Sequence, residues 1–538
     1  MKKSLLLFIV LYCQFSLFAQ QDAWVYLTDK QNVATAISNP LSILTQKAIN
    51  RKNAHAVSID ERDVPVNETY IAQLKNTVGI TVLAKSKWFN AVHVRGSETD
   101  IKNLKIIFSF IDHLDFADKS LNAPKKVQTK KQSKLESILT TFNYGSAANQ
   151  IQMFKGDKLH LANYTGTGMT VAVLDAGFPK VNTMSAFQRL RNAGNLKGSY
   201  DFVNRNDDVF NNTTSSHGTW VLSTMAGYVE NQYVGTSPDA SYYLFITEDA
   251  PNENPVEESY WVEAAERADS LGVDVINTSL GYTTYDNPNY SYTISNMNGN
   301  TAFITRGANI AFEKGMLLVN SAGNSGNDSW VIVGAPADAA GVLSIGAVKS
   351  DGTYAIFSSR GNNIQPSQKP DVVAQGQASF VITENDIITT ANGTSFSAPI
   401  MAGGVVCLWQ ALPSLNSDQI MQLVRESASQ YNVPDNFSGY GIPNLERALN
   451  NGFDLVKSMG NDVDLKIYPN PSSNKVYFTL NTGDIATLYV FDVLGKLIFD
   501  TNVTYASPSV DISTLSNGMY IVKIQSSNKS KTIKLIKQ

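Results

Sequence analysis

Three segments lie far apart in a chain of 538 residues: Val173-Leu174-Asp175-Ala176-Gly177, His217-Gly218-Thr219 and Gly393-Thr394-Ser395-Phe396-Ser397-Ala398-Pro399. A serine hydroxyl is a poor nucleophile near neutral pH unless a base lies within hydrogen-bond reach and a third group orients that base. Aspartate, histidine and serine supply those roles, and Asp…His…Ser is one of the chain orders in which the same geometry recurs on unrelated folds. The residues predict peptide-bond hydrolysis at Ser395, with His217 as base and Asp175 as its orienting group.

The base is found by counting. The chain has 5 histidines. His55, His93 and His113 fall in an N-terminal unit expected to be removed, and His160, in Lys158-Leu159-His160-Leu161, reads as structural. His217 heads a helix-like stretch. Asp175 ends the apolar run Val171 to Leu174, and the carboxyl end of a strand in an open α/β sheet is where ligands bind. Ser395 precedes the run Phe396 to Leu412, expected to be a buried helix entered by a tight turn, so its hydroxyl sits near a helix N-terminus that favours developing negative charge. Pro399 is placed in the first turn, where proline is tolerated, and Gly403-Gly404 allow the helix to pack closely.

The surrounding elements fall into units. Met1-Lys2-Lys3-Ser4 followed by an apolar run to Ala19 reads as a secretory signal over residues 1–19; the run is roughly 15 residues, short of the about 20 a membrane-spanning helix needs. Residues 20–134 comprise a small α+β unit and a linker. Trp24 to Leu27, Trp88 to Val94 and Ile111 to Phe116 read as strands, a helix starts at Ser97, and the stretch Lys119 to Lys134 reads as a solvated, easily cut linker. Residues 135–455 alternate apolar strands (Met169 to Leu174, Val273 to Asn277, Met316 to Asn320, Val342 to Val348) with helical stretches such as Val256 to Ser270 and Ala308 to Lys314. That alternation implies a parallel sheet with helices on both faces. Residues 462–538 carry short alternating runs between turn signals, the pattern of a small antiparallel β-sandwich.

Composition narrows the partners. Hydrophobic residues make up 43% and charged residues 17%, as in a globular protein, and a net charge of -4 gives no electrostatic case for nucleic acid. No segment after the signal is long and apolar enough to span a bilayer. With Cys13 inside the signal, Cys407 is left alone and no internal disulfide is available.

The three motifs together strongly resemble the subtilisin-like (S8) serine peptidases, over roughly residues 143–448. The resemblance implies the subtilisin-like α/β fold, polypeptide substrates, an acyl-enzyme mechanism and an autoinhibited precursor whose first unit is the propeptide. It implies that Asn324, in Ser321-Ala322-Gly323-Asn324-Ser325-Gly326, donates to the oxyanion beside the Ser395 backbone N–H. Ser279, Leu280 and Gly281 would bind extended substrate as an added strand, with Ala322 and Gly323 lining the pocket for the residue before the cut. Tyr440-Gly441-Ile442-Pro443-Asn444 resembles the segment that closes the catalytic unit. The chain departs from the family pattern at Trp220, where a second histidine is usual, at Leu222, and at Ala176, where a hydroxyl residue is usual. No cofactor is required for the chemistry. The family often binds structural calcium, and Asp201, Asp207 and Asp208 are the oxygen ligands a loop before His217 would offer, against the alternative of a solvated acidic loop. Tyr468-Pro469-Asn470-Pro471, Asp492 to Lys496 and Leu515 to Tyr520 resemble the C-terminal sorting domain of proteins exported by the type IX system of Bacteroidetes, which implies that machinery as a partner and delivery outside the cell. Two rivals are set aside. A lipase or esterase would need Gly-x-Ser-x-Gly, and Phe396-Ser397 follow Ser395; a binding protein that had lost catalysis would not need all of Asp175, His217, Asn324 and Ser395.

Overall fold

The computed structural model describes residues 20–122, 142–211, 214–459, 467–468, 470–478, 485–493, 495–504, 507–526 and 529–538. The expected signal over 1–19 and most of the expected linker lie outside them.

The N-terminal unit runs β1 (Gln20–Leu27), α1 (Val33–Ser38), α2 (Gln46–Ala54), α3 (Glu68–Lys75), β2 (Ile80–Ser86), β3 (Ala91–Ser97), α4 (Glu98–Ile107) and β4 (Ile111–Phe116). The strands form an antiparallel sheet in the order β2-β3-β1-β4. Strand alternation splits β1 between two cores. Ala23, Val25 and Leu27 pack with Ile71, Leu74, Ile101 and Leu104 of α3 and α4, while Trp24 and Tyr26 enter a core shared with the catalytic unit. Ser97 caps α4 by accepting from Asp100 N at 3.0 Å.

Two expectations are corrected here. The strand expected at Trp88 to Val94 begins at Ala91, because Lys87 to Asn90 form a turn with Asn90 in the left-handed region at φ 48°. The turn is held from outside: Glu266 of the catalytic unit accepts from Ser86 Oγ at 2.6 Å, Lys87 N at 3.0 Å and Trp88 N at 2.9 Å. Lys119 to Asn122 are not solvated linker. Lys119 Nζ lies 4.9 Å over the Trp24 ring, and Asn122 bonds back to Asp115 and Phe116.

The catalytic unit follows as α5 (Ala148–Gln152), α6 (Gly156–Leu161), β5 (Thr170–Asp175), α7 (Gln188–Asn192), β6 (Leu196–Asp201), α8 (His217–Ala226), β7 (Tyr228–Val229), β8 (Tyr233–Val234), β9 (Ser241–Ile246), α9 (Val256–Leu271), β10 (Val275–Thr278), α10 (Phe303–Glu313), β11 (Leu317–Ser321), β12 (Val342–Val348), β13 (Val372–Gln375), β14 (Ser379–Ile382), β15 (Ile388–Ala391), α11 (Thr394–Ala411), α12 (Ser417–Glu426) and α13 (Leu445–Ser458). Seven strands make one parallel sheet in the order β13-β12-β11-β10-β5-β9-β6. Its strands read as unbroken apolar runs because both faces are covered. In β5, Val171 and Val173 pack on the side of α8 and α11, and Ala172 and Leu174 on the side of α9 and α10. Helix α11 is buried almost throughout. At Gly403 an added Cβ would lie 2.0 Å from Thr236 Oγ1, and at Gly404 2.6 Å from Phe154, so the close packing expected of the pair is what the fold uses.

The last unit holds β16 (Ile467–Tyr468), β17 (Lys475–Phe478), β18 (Ile485–Phe491), β19 (Leu497–Thr504), β20 (Ser509–Asp511), β21 (Gly518–Ser526) and β22 (Lys529–Lys537). Antiparallel sheets β16-β17-β20 and β19-β18-β21-β22 share a core that includes Val476, Phe478, Leu488, Val490, Val522 and Leu535, the expected small sandwich. Among the described residues no helix is long and apolar enough to cross a membrane.

Candidate active site

The carboxyl ends of β5, β10 and β11 and the N-termini of α8 and α11 converge on one place. Asp175 is the last residue of β5 and is 1% exposed. Its Oδ1 accepts from Ala176 N at 2.8 Å and lies 2.8 Å from His217 Nδ1, at the first residue of α8. The carboxylate only accepts, so Nδ1 carries the imidazole proton and Nε2 presents its lone pair. The Asp175 Oδ2 is buried without a hydrogen-bond partner among the described residues, and Ala176 has no hydroxyl to offer it. Gly218 permits the close approach of α8: a Cβ there would lie 2.6 Å from Gly177 O and 3.0 Å from Asp175 Cβ.

Burial disfavours the charged imidazole of His217, but the charge and hydrogen bond of Asp175, with the charge of Glu248, outweigh it and hold the pKa above 6.5. Glu248 was not singled out from the sequence. It stands two residues beyond Ile246, the register partner of Asp175, and Thr247 N between them donates to Asp175 O at 3.1 Å. Its carboxyl is pushed up to about 8 by burial and accepts a short hydrogen bond from Tyr282 OH. The only signal for it was its place just past a strand beside the one that ends at Asp175.

Helix α11 begins at Thr394, two residues earlier than expected, so Ser395 lies in its first turn and Pro399 inside the helix. A proline five positions into a helix cannot donate to the carbonyl four residues back, here that of Ser395. Ser279 Oγ takes that carbonyl at 2.9 Å, and the Ser395 hydroxyl donates to Ser279 O at 3.2 Å. The Ser395 segment and the expected substrate strand are thus bonded to each other in both directions. In this rotamer the Ser395 proton goes to Ser279 rather than to His217.

Asn324 follows the carboxyl end of β11. Its Oδ1 accepts from Thr394 N at 2.9 Å and Thr394 Oγ1 at 3.0 Å. A backbone N–H can only donate, so the amide oxygen is fixed on Thr394 and Nδ2 is left for the groove. Gly393, at φ 149°, would bring a Cβ to 3.7 Å from that Nδ2. Thr394 also accepts from Gly323 N at 3.1 Å, which makes it the residue that sets the amide; the sequence analysis gave it no role of its own. Leu280 is half-buried, Gly281 is exposed, and Leu280 O accepts from Asn320 Nδ2 at 3.1 Å. Ala322 forms a small apolar cluster with Val333 and Ala337, residues that the motif reading did not reach.

Two further expectations meet the structure. His160 is buried, with Tyr144 OH 3.0 Å from Nδ1 and Nε2 2.9 Å from Thr236 O, and burial takes its pKa down to about 4: a structural residue. Asp201, Asp207 and Asp208 do not converge. Asp201 accepts from Val203 N, Asn204 N and Asn204 Nδ2, and Asp208 from Phe210 N, Asn211 N and Asn211 Nδ2. Asp207 is 82% exposed beside Arg267. Two of the three carboxylates are spent on their own loop, a poor fit to a calcium site, and among the described residues no three His, Cys, Asp or Glu gather as metal ligands.

The profile of the subtilase family matches residues 166–441, just over half of the chain. A Peptidase S8 propeptide domain of Bacteroidota matches residues 22–135, and a secretion system C-terminal sorting domain matches 466–538. Subtilisin DY of Bacillus licheniformis is 29% identical over 303 residues, 55% of this chain and 97% of its own length. Subtilisin E of Bacillus subtilis is 28% identical over 381 residues, 70% of this chain and 90% of its own. Among solved structures, the epidermin leader peptide processing serine protease of Staphylococcus aureus shares the fold, with a TM-score of 0.52, 15% identity, and coverage of 80% of this chain and 98% of that one. With a propeptide before the peptidase unit and a sorting domain after it, the chain belongs to the subtilase family and is a secreted or cell-surface serine endopeptidase made as an autoinhibited precursor.

Proposed function

We propose that the chain cleaves polypeptides through an acyl-enzyme formed on Ser395, with His217 as general base and acid and Asp175 as its orienting group. The observation that carries this reading is the 2.8 Å contact between His217 Nδ1 and Asp175 Oδ1, which leaves Nε2 as the basic nitrogen at the carboxyl edge of the sheet where α11 presents Ser395. In acylation the Ser395 hydroxyl leaves Ser279 O and turns to His217. Its proton passes to Nε2 as Oγ bonds the substrate carbonyl carbon. The oxyanion is met by Asn324 Nδ2 and by Ser395 N, a first-turn amide of α11. The proton then moves from Nε2 to the leaving amine as the C–N bond breaks, and water repeats the sequence to free the acyl group. Ser279 to Gly281 would hold the substrate backbone as an added strand, with Ala322 and Gly323 beside its side chain. No step draws on a metal, and structural calcium at Asp201, Asp207 and Asp208 has no support from their partners. The sorting domain would hand the protein to the type IX machinery.

The test is self-processing. Ser395→Ala, made alone, is expected to accumulate with its N-terminal unit still attached, while the native chain is cut between residues 122 and 142. Normal trimming of Ser395→Ala in the absence of any other peptidase would overturn the reading.

A further inference from the structure

Glu248 stands beside the groove, and the bond-making steps leave it without a task in holding substrate. It is partly buried, next to Thr247, whose N donates to Asp175 O at 3.1 Å. Tyr282 OH donates a short hydrogen bond to its Oε1, and Oε2 takes none from the described residues. Tyr282 is 1% exposed and is fixed by Ala335, whose O accepts from Tyr282 N at 2.8 Å and whose N donates to Tyr282 O at 3.2 Å. Tyr282 directly follows Gly281. The carboxyl is thus held by the residue next to the strand expected to bind substrate, and one of its oxygens is left open.

The sheet order decides which substrate side chain comes to it. Ser279 O lies 3.2 Å from Ser395 Oγ, so the residue before the cut stands beside Ser279, and earlier residues run back past Leu280 to Gly281. Side chains of an extended chain alternate between two sides. On the side of β10 toward β11 lies Ala322, in its apolar cluster with Val333 and Ala337. On the side toward β5 and β9 lie Asp175, His217 and Glu248. When the residue before the cut points at Ala322, the one before that points toward Glu248.

Charge then selects the side chain. Burial pushes the Glu248 carboxyl up to about 8, the charges of Glu253 and Asp175 push the same way, and the charge of His217 opposes them. A cationic side chain arriving there meets an open oxygen and relieves the crowding of acids. The chain itself carries a substrate of that kind. Between residues 122 and 142, where self-processing must cut, the sequence holds Lys125-Lys126, Lys130-Lys131 and Lys134, with Glu136 as its one acid. Lys126-Val127 and Lys134-Leu135 each place an apolar residue directly after a lysine, which matches an apolar side at Ala322 and a cation-seeking side at Glu248.

We propose that Glu248 selects polypeptides with lysine or arginine as the second residue before the cut, by pairing its carboxylate with that side chain, and that the lysine-rich linker is the first such substrate. This rests on the acyl-enzyme reading and names the substrate class of the same site.

The test gives the mature enzyme two peptides with the linker sequence Gln132 to Ile138, one with Lys134 and one with uncharged norleucine in its place. Mass spectrometry fixes the cut, and initial rates give kcat/KM. Both peptides are expected to be cut after Leu135, the lysine peptide with at least about tenfold higher kcat/KM. In Glu248→Gln, which keeps the shape and removes the charge, the ratio should fall to near one. If Glu248→Gln yields no folded protein, a third peptide with glutamate at that place decides in the native enzyme: cleavage several-fold slower than that of the norleucine peptide supports the assignment, and cleavage as fast overturns it. Equal kcat/KM for the lysine and norleucine peptides, a preference unchanged in Glu248→Gln, a cut elsewhere in the lysine peptide, or casein hydrolysis with neither peptide cut would overturn the assignment and leave the acyl-enzyme reading standing. An enzyme inert on casein as well would instead overturn that reading, and this inference with it.

Discussion

The hydroxyl of Ser279 donates to the backbone carbonyl of Ser395 across 2.9 Å, and that carbonyl is free to accept because Pro399, four residues on, has no N–H to give it. A helix-breaking residue placed inside α11 thereby opens an acceptor that ties the Ser395 segment to the strand expected to bind substrate. The tie is reciprocal, since the Ser395 hydroxyl rests on Ser279 O.

Removing Ser279 Oγ strands a part-buried carbonyl, so Ser279→Ala is expected to destabilise the mature enzyme by about 1 kcal/mol in urea unfolding. Pro399→Ala restores an intrahelical donor to the same carbonyl. In a double-mutant cycle, Ser279→Ala in the Pro399→Ala background should lose at least about 0.5 kcal/mol less than it does alone. Strict additivity would show that the carbonyl is not the shared partner.

Asn324→Ala is expected to lower kcat by about 100- to 1,000-fold with little change in KM, the loss known for the equivalent donor of subtilisin and not deduced from this chain. What this structure adds is Thr394. Thr394→Val removes one of the two hydrogen bonds that aim the amide and should cost about tenfold in kcat, as the loss of roughly 1.4 kcal/mol implies, while Thr394→Ser should restore the rate. Steady-state kinetics on one peptide substrate checks both; an unaltered kcat in Thr394→Val would remove it from the site.

Two ionisations shape the pH profile. His217 must be neutral to accept the serine proton, and its pKa lies above 6.5. The rate therefore falls as pH drops through that raised value, and the midpoint of the acid limb of kcat/KM should lie above 6.5. Glu248, pushed up to about 8, is neutral below that pH and an anion above it. An anion beside the imidazole stabilises the imidazolium of the transition state, so a second, few-fold rise in kcat is expected near pH 8. Glu248→Gln should abolish that rise and, by removing one of the charges that raise the His217 pKa, move the acid limb toward lower pH. A profile identical to that of the native enzyme would detach Glu248 from the reaction.

The candidates Asp175, His217, Ser395 and Asn324 stood out in the sequence because the chemistry they would perform admits few residue types, and because the carboxyl edge of a parallel sheet is where such groups are expected. The strands of that sheet were legible for a related reason: burial on both faces leaves unbroken apolar runs, and Val342–Val348 was read to the residue. What was hidden depends on contacts distant in sequence. Nothing local distinguishes Trp88 and Phe89 from strand residues until Glu266 gathers the turn's amides. Pro399 reads as a first-turn proline until the start of α11 is known, and Glu248 is one acid among several until its register beside Asp175 places it.

The sandwich beyond residue 466 has its own core, and α13 closes the catalytic unit at Ser458. A chain ending at Met459 should cleave peptides at an unchanged rate yet fail to appear outside the cell in a host with type IX export. Activity assays on periplasmic and external fractions decide this, and normal external delivery of the shortened chain would rule out the sorting role.

The central claim is that Ser395 is the nucleophile activated by His217. Treating the active, mature enzyme with a fluorophosphonate and mapping its peptides by mass is the most direct measurement. The account predicts one adduct, on Ser395, formed in step with the loss of casein hydrolysis and absent from a folded His217→Ala variant. An adduct on another serine, or hydrolysis that persists once Ser395 is fully labelled, would contradict it.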